Sequence, residues 1–255
     1  MRREVREVDR ERGIVRWTTE DQRFYSRQAE DPADSRLRIW DFVPSVTWIC
    51  GFYYKNERFT KWVGRVGNEG AEEAKIAGGE KGSKVHQAIG AILEGGKLNI
   101  ETSLFANRDG KPEPLNAEEI ECIMSFVEWF RKFRPEVIAT EFTVWSEKYR
   151  YAGTVDLYCT INGIPWIVDF KVSSQIYPSH EIQVSAYKFA EPGRFPKNVR
   201  LAILQLNYKQ NKKQKWKFTR IKDQFTLFMS TRRVWAKETE GIKPFQKDYP
   251  LEISL

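Results

Sequence analysis

The sequence predicts an α/β fold on three observations. Two amphipathic helical stretches lie in its first half, three strand-like runs follow one another across residues 137–172, and a helix, a strand and a hairpin come after them. With 255 residues the chain is long enough for one substantial core. Hydrophobic residues make up 41% and charged residues 30%, an ordinary globular composition that excludes a disordered or fibrous one. No stretch approaches the roughly 20 apolar residues needed to span a bilayer, so no transmembrane helix is expected. Residues 1–12 alternate Arg with Glu and Asp and read as neither a signal nor a transit peptide. Three scattered cysteines, Cys50, Cys122 and Cys159, point to a reducing, cytoplasmic setting without a disulfide framework.

Residues 1–40 carry ten basic and nine acidic residues and read as a charged N-terminal extension. Ile14-Val15-Arg16-Trp17 and Phe24-Tyr25 are its short strand-like pieces. Residues 41–255 then read as one domain. Gly78-Gly79-Glu80-Lys81-Gly82-Ser83 breaks the chain, and Ser83 caps a helix that carries Val85, Ile89, Ile92 and Leu93 on one face. Gly95-Gly96 ends it, and residues 99–114 read as a loop. Asn116 caps the second helix, with Glu119 completing a capping box and Ile120, Ile123, Met124, Val127 and Phe130 as the buried stripe. Pro135 closes it. Residues 137–145, 154–161 and 164–172 are strands, the last two joined by Asn162-Gly163, the strongest hairpin signal in the chain. Residues 178–190 form a helix, 200–207 and 215–221 a hairpin, and Asp223 opens a final helix.

The charge is unevenly spread. The whole chain carries +7, yet residues 194–235 hold twelve basic residues against the single acid Asp223. Such a segment, with Tyr208, Trp216 and Phe218 among its lysines, suits a polyanion whose rings can stack. A solvated hairpin with a basic tip is the alternative.

The Asn162-Gly163 turn sets a register. If those two residues form the loop, Ile161 faces Ile164 and Asp156 faces Asp169. Side chains so placed have Cβ atoms about 4.5–5.5 Å apart, and like charges there destabilise the pair. The flanking residues are apolar on both faces, so the two carboxylates need a proton, a cation or exceptional hydrogen bonding. A divalent metal resolves the conflict most simply, and oxygen ligands suit Mg²⁺ or Mn²⁺. Lys171 lies two residues from Asp169 on the same face, where an ammonium holds a water or stabilises charge on a phosphate. It could also simply neutralise one carboxylate. Glu141 sits on the preceding strand, in an awkward place for an uncompensated acid. His86 offers a nitrogen to a metal, or a packed helical histidine. Gln183 and Tyr187 share one helix face.

In chain order, Gly82-Ser83-Lys84-Val85-His86, Glu141, Gly153-Thr154-Val155-Asp156, Asp169-Phe170-Lys171 and Gln183-x-x-x-Tyr187 resemble the RecB-like branch of the PD-(D/E)XK nuclease superfamily. Pro44-Ser45-Val46-Thr47 is similar to an upstream segment of phage-type members. The resemblance implies a restriction-endonuclease-like core, a central mixed β-sheet flanked by helices. It implies a Mg²⁺- or Mn²⁺-dependent phosphodiesterase in a bacterial or phage-infected cell. His86, Asp156, Asp169 and the backbone carbonyl of Phe170 would hold the metal. Lys171 would position water or stabilise the transition state, Glu141 would support the metal or substrate, and Gln183 and Tyr187 would orient DNA and site. Some members of the branch hold an iron–sulfur cluster on four cysteines, which three scattered cysteines exclude here.

The expectation is a DNA exonuclease acting on ends or single strands, with a homo-oligomer or a replication or recombination protein as a further partner. The basic hairpin would grip the backbone through Lys209, Lys212, Lys213, Lys215 and Lys217, with Tyr208 and Trp216 as stacking platforms. The rival from another class is a non-catalytic nucleic-acid-binding or assembly module that keeps the fold. A second rival acts on a smaller phosphate ester.

Overall fold

The computed structural model describes residues 4–19, 22–30, 38–107, 110–173, 175–210, 214–240 and 242. Its first forty-four residues contain more regular structure than the charge pattern suggests. Strands β1 (Glu4–Asp9), β2 (Ile14–Thr18), β3 (Arg23–Glu30) and β4 (Arg38–Pro44) make a four-stranded antiparallel meander in that order. Two-residue alternation explains it: Ile14, Tyr25 and Val43 pack together with Trp145 and Ala152 of the main body. The intervening residues Trp17, Phe24 and Phe42 form a ring cluster, which Trp48 joins at 4.9 Å from Phe24.

Ser45 then caps helix α1 (Val46–Gly51), its hydroxyl accepting from the Trp48 N–H at 3.0 Å. Helix α2 (Glu57–Leu93) corrects the expectation of a break before Ser83. It runs unbroken through Gly78, Gly79 and Gly82, and its one kink is at Gly67, where φ is 76°. Glycine in a helix costs about 1 kcal/mol relative to Ala but clashes with nothing, so tertiary packing overrides it. His86 consequently lies near the C-terminal end of a long helix, not near its start. The stretch expected to be a loop contains a short antiparallel pair, β5 (Leu104–Ala106) and β6 (Pro112–Pro114).

Helix α3 (Ala117–Phe133) opens with the expected capping box. The Glu119 N–H donates to Asn116 Oδ1 at 3.0 Å, and the Asn116 N–H donates to Glu119 Oε2 at 2.8 Å. Its buried stripe is rotated from the expected one. Cys122, Ile123, Phe126 and Trp129 are inside, while Met124 is 55% exposed. The aromatic bulk of Phe126 and Trp129 decides the rotation, because those rings remove more apolar area from water.

The central sheet consists of β7 (Glu136–Ser146), β8 (Tyr151–Ile161), β9 (Ile164–Lys171), β10 (Arg200–Leu206) and β11 (Trp216–Ile221). Their spatial order is β11-β10-β9-β8-β7. The sheet is mixed: β9 and β10 are parallel, joined by the crossover helix α4 (Pro178–Ala190), and the other neighbours are antiparallel. Asn162 and Gly163 have φ of 52° and 72°, and Ile161 faces Ile164 as the turn demands. The chain closes with α5 (Phe225–Glu238). Helices α2 and α3 cover one face of the sheet around Phe126, Trp129 and Phe170, and α1, α4 and α5 cover the other around Ile182, Tyr187 and Phe228. Among the described residues no helix is long and apolar enough to cross a membrane.

Candidate metal centre

Three acids occupy neighbouring strands at one level of the sheet. Thr140 faces Leu157 and Phe142 faces Val155, which brackets Glu141 opposite Asp156. The β8–β9 ladder keeps the register expected from the turn, but it ends at Leu157 and Val168, one rung short of Asp156 and Asp169. Like charges set face to face would repel, and the backbone yields there. Glu141 adopts a left-handed φ of 48°, a strained state for a non-glycine residue that costs on the order of 1–3 kcal/mol. The two-residue alternation of β8 slips at the same level: Val155 faces the α4 layer and Leu157 the α3 layer. The Phe170 N–H donates to Asp156 Oδ2 at 2.6 Å. Phe170 thus ties Asp156 to the neighbouring strand through its backbone.

Helix α2 brings His86 to Glu141 and Asp156. Its Nδ1 lies 3.3 Å from Asp156 Oδ1 and 3.8 Å from Glu141 Oε1. Two residues earlier, Lys84 anchors this part of the helix, its ammonium 3.0 Å from the buried Glu119 carboxylate and 3.3 Å from the Pro114 carbonyl. At Gly90, one turn later, a Cβ would lie 3.4 Å from Glu141 Cγ, ordinary van der Waals contact, so helix and strand pack directly here. One donor atom each from His86, Glu141 and Asp156 lie within 4.8 Å of one another. Glu141 Oε1 is sealed from solvent without a hydrogen-bond partner. A nitrogen and two carboxylate oxygens, one of them unsatisfied, fit a divalent cation.

The electrostatics agree. Burial and the Asp156 charge raise the Glu141 pKa to about 7, against the pull of His86, Arg16 and Arg6. Burial disfavours a charged His86, but attraction to Asp156 and Glu141 outweighs it and raises its pKa to about 9. Asp156 is held below the usual carboxylate range: burial opposes this, and His86, Lys171 and the Phe170 N–H overcome it. Protons thus occupy part of the place a cation would take.

Asp169 is turned to other partners. Its Oδ2 lies 2.7 Å from the Lys171 ammonium, and its Oδ1 accepts from Gln183 Nε2 at 3.3 Å. Burial raises its pKa to about 6, and Lys171 works against that rise. Lys171 also donates to Gln183 Oε1 at 3.2 Å, and Gln183 Nε2 donates to the Tyr187 hydroxyl at 2.7 Å. Gly153 makes room for that tyrosine, because a Cβ there would lie 2.6 Å from Tyr187 Cε1. A glycine inside a strand signals such an approach, and sequence reasoning did not use it.

The basic hairpin does not join this cluster. Lys209 and Lys215 pair with Glu118 and Glu121 of α3 at 3.2 and 3.1 Å. Trp216, expected to stack on bases, is 4% exposed and packs against Phe133, so it offers no platform. Lys217 lies 5.3 Å over the Tyr208 ring. Lys212 and Lys213 fall outside the described residues. Two amphipathic elements with complementary charge cover each other here, and a charge run alone carries no sign of that.

No family model and no curated protein matches the chain. A solved structure described as "Putative exonuclease" from Eubacterium rectale is similar at 14% identity, with a TM-score of 0.39, over 67% of this chain and 75% of that one. A likeness that slight carries no argument about activity.

Proposed function

We propose that this chain is a divalent-metal-dependent nuclease with a restriction-endonuclease-like core, hydrolysing phosphodiester bonds of DNA as an exonuclease on ends or single strands. The observation that carries the reading is the convergence of His86, Glu141 and Asp156 within 4.8 Å beside a lysine 2.7 Å from the neighbouring Asp169. His86, Glu141 and Asp156 are the residues that would hold Mg²⁺ or Mn²⁺. A bound ion there would supply an activated water and neutralise charge on a phosphate. Asp169 and Gln183 hold the Lys171 side chain from two sides, and its ammonium keeps its charge because Asp169 and Asp156 outweigh burial. That fixed charge is placed to meet negative charge developing on a phosphate. Tyr187 stays protonated, since burial and the nearby aspartates raise its pKa well above its ordinary value, and its hydroxyl accepts from Gln183 Nε2.

The test is cleavage of an end-labelled single strand and its duplex with Mg²⁺, with Mn²⁺ and with EDTA. Cleavage is expected with metal and none with EDTA, and Lys171→Met is expected to lose about 10²–10³-fold in rate. Asp156→Asn should abolish it. Cleavage indifferent to EDTA or to Asp156→Asn, or none with any metal from folded protein, overturns the reading. The product ladder reads its polarity.

A further inference from the structure

The charge surplus of residues 194–235 is not spent at the hairpin tip alone. At the opposite end of β10 and β11 a cleft of about 860 Å³ opens, lined by Lys188, Lys197, Arg200, Arg220 and Lys222, with Asp223 as its carboxylate. Asp223 lies 3.4 Å from Lys188, and Arg200 sits over the Trp166 ring at 5.4 Å. Lys197, Arg220 and Lys222 are exposed and have no acidic partner among the described residues. The strand register brings these cations together. Leu201 faces Ile221 and Ala202 faces Arg220, so Lys222 lies just past the last rung, beside Arg200. Lys197 enters from the turn before β10 and Lys188 from the last turn of α4.

We propose that this cleft docks the phosphate backbone of a nucleic acid at a distance from the reacting bond. The cleft adjoins Ile164, at the start of β9, whereas Asp169 lies five residues along the same strand. At roughly 3.3 Å per residue the two sites are about 17 Å apart, a span of about five phosphates along one strand of a duplex. A small anion is the poorer fit. At the start of α5, Asp223 already sets a carboxylate against the helix end, its Oδ1 accepting from the Phe225 N–H at 2.9 Å. What remains are long, mobile-ended cations around an open cleft, which suit successive phosphates better than a single chelated one. The choice of nucleic acid among polyanions rests on the nuclease reading; the charge of the cleft does not.

The test is binding in EDTA, so that it needs neither metal nor cleavage. Anisotropy of a fluorescein-labelled 20-nucleotide single strand is titrated at several salt concentrations, with the full chain and with K197Q/R220Q/K222Q. Loss of three phosphate contacts is expected to flatten the slope of log affinity against log salt by about 2. The three side chains are exposed, so the melting temperature should stay with that of the parent. An unchanged slope, or a parent chain that binds no oligonucleotide, overturns the proposal even where cleavage is seen. A flattened slope in a protein that cleaves nothing leaves this site standing and removes the nuclease reading instead.

Discussion

The centre of the sheet and its β10–β11 edge treat charge in opposite ways. At the centre, Glu141, Asp156 and Asp169 are brought together on adjacent strands with His86 and Lys171 as their ion-pair partners, and the backbone at Glu141 takes a strained left-handed φ. At the edge, two of the lysines that read as a free basic tip, Lys209 and Lys215, are paired with the α3 carboxylates Glu118 and Glu121. Neutralising charge is the default of a folded surface, and repelling charge under cover is costly. A region that keeps the costly arrangement is therefore the stronger sign of chemistry, and the sheet centre keeps it where the hairpin tip does not.

The sharpest way to break the comparison is steric. Gly153→Ala would drive a methyl into Tyr187, and overpacking of this kind costs about 1–3 kcal/mol. Denaturant melts should show that loss, with cleavage falling alongside as Gln183 and Lys171 lose their support. Unchanged stability would mean that Tyr187 moves freely and does not set the site.

A second test uses protons. In metal-free protein the folded pKa of His86, about 9, lies above the unfolded 6.5, so its contribution is present below pH 6.5 and lost as pH rises through 9. Glu141, raised from 4.5 to about 7, acts in the same direction at lower pH, because the folded chain keeps a proton that the unfolded chain releases. Urea midpoints of the metal-free chain should therefore fall between pH 6.5 and 9, and His86→Gln should flatten the decline. A midpoint that rose over that window would show that the imidazole is not held by the two acids.

The smallest effect is expected at the edge. Lys209→Gln with Lys215→Gln removes exposed, screened pairs, so the melting temperature and the salt slope of oligonucleotide binding should stay near those of the parent. A slope flattened as strongly as by the cleft substitutions would restore the tip as a nucleic-acid contact and erase the contrast drawn here.

Much of this was legible from residues alone. Asn162-Gly163 specified a turn and with it the register of β8 against β9, because only that backbone hand matches the twist of the strands. Asn116 with Glu119 marked a helix start through a hydrogen-bond pattern confined to four residues. The acids Glu141, Asp156 and Asp169, with Lys171, stood out because charge inside apolar strands needs a reason. The glycines before Ser83 misled, since helix breaking is a weak local preference that packing overrides. The hairpin lysines misled for a different reason: nothing in their own neighbourhood announces Glu118 and Glu121, some ninety residues away.

The sequence by itself determined the local hydrogen-bonding motifs, the strand runs and the kinds of side chain available for chemistry, because these depend on neighbours within a few residues. Only the tertiary structure decided that Asp156 turns to His86 and the Phe170 N–H while Asp169 turns to Lys171 and Gln183, that Trp216 is core, and that the unpaired cations gather at the far end of the hairpin. Those outcomes are set by which distant surfaces meet and which charges desolvate each other, and neither is written in the spacing of residues along the chain.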